Sequence, residues 1–186
     1  MGIYQPAKDS YFFADFLKKY FKTPRPNTHN PTPTFLSSIK MLDMGTGSGI
    51  LAETASKFIN KKNIIPVDIN SESIKLLKQK GFKAVKSNLF ENIKNKFGLI
   101  TFNAPYLPLD KREPKESQLA TTGGTKGDEI SVKFIKQAKK HLNKKGKIFL
   151  LISSLTPMNK IKKHSPKIVA RKKIFMEELL ILEFQN

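Results

Sequence analysis

The 186-residue chain contains no cysteine, which excludes disulfides and thiolate zinc sites within it. Histidine is scarce as well. His29, His141 and His164 stand far apart, without the spacing of metal ligands, so no metal site is expected. Arginine occurs only at positions 25, 112 and 171, against 31 lysines, and acidic residues number 15. No run approaches the ~18 apolar residues of a membrane span. The N-terminus lacks the basic-then-apolar pattern of a secretory signal. A cytoplasmic protein without membrane contact is the expectation.

What is present is a globular composition with an unusual charge. Hydrophobic residues make up 39% and charged residues 26%, as in ordinary soluble proteins. The length suits one domain, 1–186, with room for a substantial core. The net charge of +19 has two readings. One is a phosphate-rich partner such as RNA. The other is lysine-rich composition solvated at the surface. Bidentate recognition of phosphates and bases favours arginine, so its scarcity limits the first reading to a weak RNA contact through a lysine surface.

Periodicity orders the chain. A tight start at Gly2 leads into an amphipathic helix reaching Tyr20, with Tyr11, Phe12, Phe16 and Lys19 at half-buried spacing. Residues Thr23 to Thr34 carry four prolines and read as a loop. Strands are predicted at Ile39–Met44, Ile64–Ile69, Phe82–Val85, Leu99–Phe102 and Lys147–Ser153. Helices are predicted at Gly49–Ile59, Glu72–Lys80 and Asp128–Leu142, the last ended by Gly146. Lys111–Lys126 is polar and reads as a mobile loop. Lys167–Ile174 and Glu178–Phe184, joined by a brief turn, should pair antiparallel. Alternating helices and doubly apolar strands predict a Rossmann-like, doubly wound α/β sheet, mostly parallel, with an antiparallel C-terminal strand.

Two motifs carry chemistry. The first strand runs into Gly45-Thr46-Gly47-Ser48-Gly49, a turn that lets the backbone approach a ligand closely. Dinucleotide sites space their glycines G-x-G-x-x-G; here the spacing is tighter, and Asp43 precedes it. A carboxylate there suits the cationic amino-acid end of a ligand better than a pyrophosphate. Asp68 ends the second strand, where it could accept both hydroxyls of a ribose, with Ile69 beside it. Asn88 and Leu89 follow the third strand and could meet an adenine edge. Together these favour S-adenosylmethionine as cofactor.

The second motif is Asn103-Ala104-Pro105-Tyr106, delivered to the carboxyl edge of the sheet by the fourth strand. The Asn103 side-chain oxygen and the Ala104 carbonyl are two acceptors for an –NH₂ group. Tyr106 offers a flat face for a planar amide or base, and Pro105 stiffens the turn. No strong base sits in this motif, so catalysis would rest on alignment, which can supply ~7–11 kcal/mol at its best, and on fixed dipoles facing the developing charge.

In this order, Asp43 to Gly49, Asp68-Ile69-Asn70, Asn88-Leu89-Phe90 and Asn103 to Tyr106 resemble the HemK-type glutamine N5-methyltransferases, of the class I methyltransferase fold. Tyr4-Gln5-Pro6-Ala7-Lys8-Asp9-Ser10 is similar to the start of the archaeal and eukaryotic branch, as are Gly123-Gly124-x-x-Gly127 and Arg171 with the Glu177–Phe184 strand. The extra N-terminal helical domain of bacterial members has no room here. The resemblance implies a seven-stranded sheet, S-adenosylmethionine as donor, and as acceptor the Gly-Gly-Gln glutamine of a class-I peptide release factor. It implies a donor site of Ser10, Asp43, Gly45, Asp68, Asn88, Leu89 and Asn103, and an acceptor site at Asn103 to Tyr106. Many members pair an edge strand with a small zinc-binding activator subunit; here that edge would be 82–85, though Lys83 and Lys86 could equally guard it. Ala104, Asn88 and Lys8 replace the family's usual proline, aspartate and glutamate. Methylation of an exocyclic amine in RNA or DNA, methylation of a protein lysine, and a non-catalytic RNA-holding role are the competing readings.

Overall fold

The computed structural model describes residues 2–23 and 38–185. The proline-rich stretch predicted as a loop lies almost wholly outside the described residues. Helix α1 spans Lys8–Lys22 and buries Phe13, Ala14, Leu17 and Phe21, one stripe at three- and four-residue spacing. It ends at Thr23, whose hydroxyl donates to the Lys19 carbonyl. Strand β1 (Met41–Met44) and helix α2 (Ile50–Ala55) flank the glycine turn. β2 (Ile64–Asp68) leads to α3 (Ser71–Gln79), whose first turn is capped by the Asn70 side chain accepting from the Glu72 N–H. Then come β3 (Val85–Lys86) and β4 (Phe97–Asn103). Next are α4 (Lys115–Thr121), α5 (Glu129–Lys140) and β5 (Leu142–Ser153). α6 (Asn159–Lys162), β6 (Lys167–Ile174) and β7 (Glu177–Gln185) close the chain.

The seven strands form one sheet in the order β3-β2-β1-β4-β5-β7-β6. β1, β2, β3, β4 and β5 pair in parallel, and β7 runs against both β5 and β6. This is the expected doubly wound class I methyltransferase architecture. Strand alternation splits the core between two faces. Leu42, Ile100, Phe102, Ile148 and Leu150 pack with Phe134, Ile135 and Ala138 of α5. Met41, Leu99, Phe149 and Leu151 pack with α1, α2 and α3 on the other side. Both faces are covered, so the central strands are mostly apolar on both sides.

Three local expectations need correction. The predicted strand 82–85 shrinks to Val85–Lys86. Phe82 and Ala84 are buried as packing residues rather than presented along an edge. The 111–126 stretch is not a bare loop: α4 forms in it, its Gln118 side chain donating to the Asp110 and Glu113 carbonyls and the Thr121 hydroxyl donating to the Glu113 carboxylate. Gly146 does not end a helix. α5 stops at Lys140, and Gly146 sits inside β5, where the register against β4 slips and the chain bulges outward at Lys145, φ +66°.

Candidate active site

The carboxyl ends of β1, β2 and β4 open into one cavity of about 670 Å³, where ligands sit in open parallel sheets. Its floor is the glycine turn. Gly45, Gly47 and Gly49 all have positive φ, a region costly for residues with a β-carbon. The turn is stitched to β2: Thr46 N–H donates to the Val67 carbonyl at 2.9 Å, and Gly47 N–H donates to Asp68 Oδ2 at 2.8 Å. Asp68 Oδ1 accepts from Asn70 N–H at 2.8 Å. These bonds use part of the about four acceptor positions of a carboxylate, and Asp68 lines the cavity. Burial pushes its pKa up, while the backbone N–H donors oppose the shift. Asn70 also donates to the Gly2 carbonyl at 3.0 Å, tying the N-terminal segment to the rim, and Tyr4 from that segment lines the same space.

Asn103 ends β4 beside this floor. Its Nδ2 donates to Asp9 Oδ2 at 3.0 Å and to Ser10 Oγ at 3.3 Å, both from the first turn of α1. A carboxylate can only accept, so Asp9 forces the amide –NH₂ to face it. The Asn103 Oδ1 is then left buried with no partner, on a residue that lines the cavity. An orphaned acceptor of this kind costs free energy unless a ligand satisfies it. Ala104, Pro105 and Tyr106 continue the cavity wall. The Tyr106 phenol is half-buried; burial raises its pKa well above the usual range, and the carboxylates of Asp9 and Glu177 add to the rise.

The Asn103–Tyr106 strip is braced from behind. Leu107 N–H donates to the Thr121 carbonyl at 2.9 Å, and Gly123 N–H donates to the Leu107 carbonyl at 2.8 Å. A β-carbon at Gly123 would lie 2.7 Å from the Pro105 carbonyl oxygen. The glycines of that loop thus let two backbones touch. Ser117, Ala120 and Thr121 of this segment line the cavity above Tyr106.

The sequence-predicted residues mostly converge. Ser10, Gly45, Gly47, Asp68, Ile69, Asn88, Leu89, Asn103, Ala104, Pro105 and Tyr106 line the one cavity. Two do not. Gly49 is buried behind the turn, and Asp43 is wholly inaccessible rather than facing a ligand. Asp43 accepts from Thr46 Oγ1 at 2.7 Å and from Thr101 Oγ1 at 2.9 Å, holding the turn to β4 from below. Burial raises its pKa to about 6, against the opposing hydroxyl bonds. Asn88 lines the rim, but its amide donates to Glu91 at 2.8 Å. Asp9 was missed as a site residue; its signal was its place beside Ser10 in the N-terminal motif. Among the described residues no cluster of His, Asp and Glu could hold a metal, and no helix is long and apolar enough to cross a membrane.

The sequence profile of the methyltransferase small domain matches residues 31–176. A Methanocaldococcus jannaschii protein named as a candidate protein N5-glutamine methyltransferase is 38% identical over 97% of this chain and 90% of its own length. The release factor glutamine methyltransferase of Lactococcus lactis is 29% identical over 69% of this chain, and the match spans 54% of that protein. The chain thus covers about half the length of that bacterial relative. Among solved structures, the ribosomal protein L11 methylase of Lactobacillus delbrueckii superposes with a TM-score of 0.64 at 20% identity, over 98% of this chain and 81% of that one. A Thermus thermophilus 16S rRNA N2 methyltransferase, solved with AdoMet and guanosine, gives 0.62 at 17% identity over 97% and 44%. These two likenesses are of fold. The profile match and the archaeal relative go further: the chain belongs to the methyltransferase small-domain family and is an S-adenosylmethionine-dependent methyltransferase.

Proposed function

We propose that this enzyme methylates the side-chain nitrogen of the glutamine in the Gly-Gly-Gln loop of a class-I peptide release factor. The observation that carries the reading is the buried, unpartnered Asn103 Oδ1, aimed by Asp9 and Ser10 in a cavity floored by the glycine turn. The names of the archaeal and bacterial relatives support the substrate. With that substrate the enzyme serves translation termination in the cytoplasm.

The residues present fit the donor. The Gly45–Gly47 backbone leaves room for close approach, Asp68 keeps acceptor capacity that would serve ribose hydroxyls, and Ile69, Asn88 and Leu89 would hold the adenine. S-adenosylmethionine supplies a methyl carbon made electrophilic by its sulfonium. Asn103 Oδ1 accepts one N–H of the substrate amide, and the Ala104 carbonyl takes the other. Tyr106 lies against the amide plane, and the braced Pro105 keeps the pair of acceptors in register. The amide nitrogen lone pair is delocalised, so the protein's contribution is alignment and a fixed negative dipole where positive charge grows. The proton leaves after transfer, once the methylated nitrogen is acidic enough for water to take it. Asp43 acts beneath the turn as a positioning residue.

An activator subunit of the kind the family resemblance implies would meet only Val85 and Lys86 at the β3 edge, where Lys86 Nζ already bonds Ser71 Oγ at 2.6 Å. The test is transfer of a labelled methyl group to purified release factor, with and without such a subunit, followed by mass mapping. Label on the Gly-Gly-Gln glutamine, lost when that glutamine is replaced by alanine, is expected. Label that stays on the alanine variant, or enters RNA instead, overturns the reading. The RNA outcome is the specific rival, because an exocyclic amine fits the same acceptors and the +19 charge would attract its phosphates.

A further inference from the structure

The β6–β7 hairpin turns through Phe175 and Met176, which are 96% and 82% exposed. Neither residue sits in the left-handed backbone region that would call for Asn, Asp or Gly, and neither side chain gains burial. Large apolar groups left this open mark a surface made for contact.

Their position is informative. β6 runs in the same direction as β4 and β5, because β7 is antiparallel to both of its neighbours. The hairpin tip therefore projects from the same end of the sheet as Asn103. Leu155, 62% exposed, extends the patch from the turn after β5. That turn is tied to the hairpin, since Ser154 N–H donates to the Glu178 carbonyl at 2.7 Å and Glu178 N–H donates to Ser154 Oγ at 2.9 Å. Glu177, next to Met176, takes a hydrogen bond from Ser153 Oγ and acts electrostatically on the Tyr106 phenol. The patch therefore stands at the same end of the sheet as the cavity. Its collar is of mixed charge, with Lys172 and Lys173 on β6 beside Glu177 and Glu178 on β7.

We infer that Phe175, Met176 and Leu155 form the docking knob for the body of the protein substrate, outside the glutamine loop that enters the cavity. The inference rests on the protein-glutamine reading above. The partner surface it requires is an apolar depression that lies beside the glutamine loop, because the tip stands at the same end of the sheet as Asn103. A nucleic acid fits poorly, because the centre of the patch is phenyl and thioether, the side chains enriched at protein interfaces, and Arg171 is paired with Glu178 at 2.8 Å.

The experiment compares intact release factor with a short Gly-Gly-Gln loop peptide as methyl acceptors, for wild-type protein and for the double variant F175S and M176S. The expected result is a KM for intact factor raised about tenfold or more, with kcat, the peptide KM and calorimetric donor affinity unchanged. A Leu155→Ser variant should move the same single parameter. Unchanged KM for intact factor overturns the inference. A parallel rise for factor and peptide overturns it too, since the tip would then belong to the catalytic pocket. If wild-type protein methylates neither acceptor, the glutamine reading falls first, and the docking role with it.

Discussion

Replacing Asp9 by asparagine isolates the orientation of Asn103. In the wild-type protein the Asp9 carboxylate takes Asn103 Nδ2 at 3.0 Å. Only one rotamer of the Asn103 amide satisfies it; the flipped rotamer would set oxygen against oxygen. A charge-assisted bond of this kind contributes about 1.5–3 kcal/mol, against about 1 kcal/mol for a neutral one. Asparagine at position 9 can donate or accept, so the bias toward the productive rotamer falls by about 1–2 kcal/mol. In the flipped state an –NH₂ confronts the substrate –NH₂, and the site is inactive. Ser10 Oγ remains at 3.3 Å but fixes neither rotamer, because a hydroxyl serves both roles. As the bias approaches zero the productive rotamer falls toward half of the population, so single-turnover transfer should slow by about twofold in Asp9→Asn. Asn103→Ala, which removes the acceptor outright, should slow it by about 10²–10³, by analogy with loss of one preorganised hydrogen-bonding group. Donor affinity by calorimetry should hold in both, since Asp68 carries that role. Wild-type transfer in Asp9→Asn, or loss of donor affinity in step with the rate, would refute the argument.

The remaining predictions touch other parts of the cavity. Asp68→Ala should raise the donor Kd by about 10- to 100-fold, the scale of lost hydrogen bonds to a charged group; calorimetry reads it directly. Asp43 is titrated by folding: its pKa rises from 3.8 to about 6. A raised folded-state value contributes stability that is present below pH 3.8 and lost as pH climbs through 6, worth up to about 3 kcal/mol. Asp43→Asn should thus show less loss of stability than wild type between pH 4.5 and 7.5 in urea unfolding, and identical slopes would contradict the buried charge. Tyr106→Phe should keep kcat within a factor of about three, far from the 10²–10⁴ cost of removing a general base, because the ring is retained.

The sequence exposed what depends on local order. Glycines at 45, 47 and 49 between a short apolar strand and a helix pointed to the ligand turn, and Asn103 at the end of β4 pointed to its neighbour. What failed depended on direction or distance. Asp43 is flanked by Leu42 and Met44 on a central strand whose four residues are all buried, so its carboxylate has no route to the cavity. Strand alternation cannot reveal this when both faces are covered. Asp9 meets Asn103 across ninety-four residues of sequence, a contact that only the packing of α1 on the sheet creates. Helix α4 escaped notice because a polar segment hides the bonds among Glu113, Gln118 and Thr121 that hold it. The shortened β3 reflects burial: Phe82 and Ala84 turn inward, and a chain committed to the core cannot also offer a long ladder edge.

The placement of charges around the cavity decides between two kinds of catalysis. A base mechanism needs a free group near the acceptor with a pKa close to the working pH. Asp9 reaches that region, but its oxygens are spent on Asn103 Nδ2, Ser10 N–H and Ser10 Oγ. Tyr106 is held neutral, because burial and two nearby carboxylates oppose phenolate formation. Asp68, assigned to the donor in the proposed function, is fastened to the glycine turn. Asp9 and Asp68 are thus committed to orienting other groups, Tyr106 is held neutral, and the Asn103 oxygen is left unpartnered. Such a site can align an amide with a methyl donor but cannot deprotonate it beforehand. On the proposed function, selectivity would then come from what brings the right amide to Asn103, and the inferred docking role would give the exposed β6–β7 turn as much say over the substrate as the cavity itself.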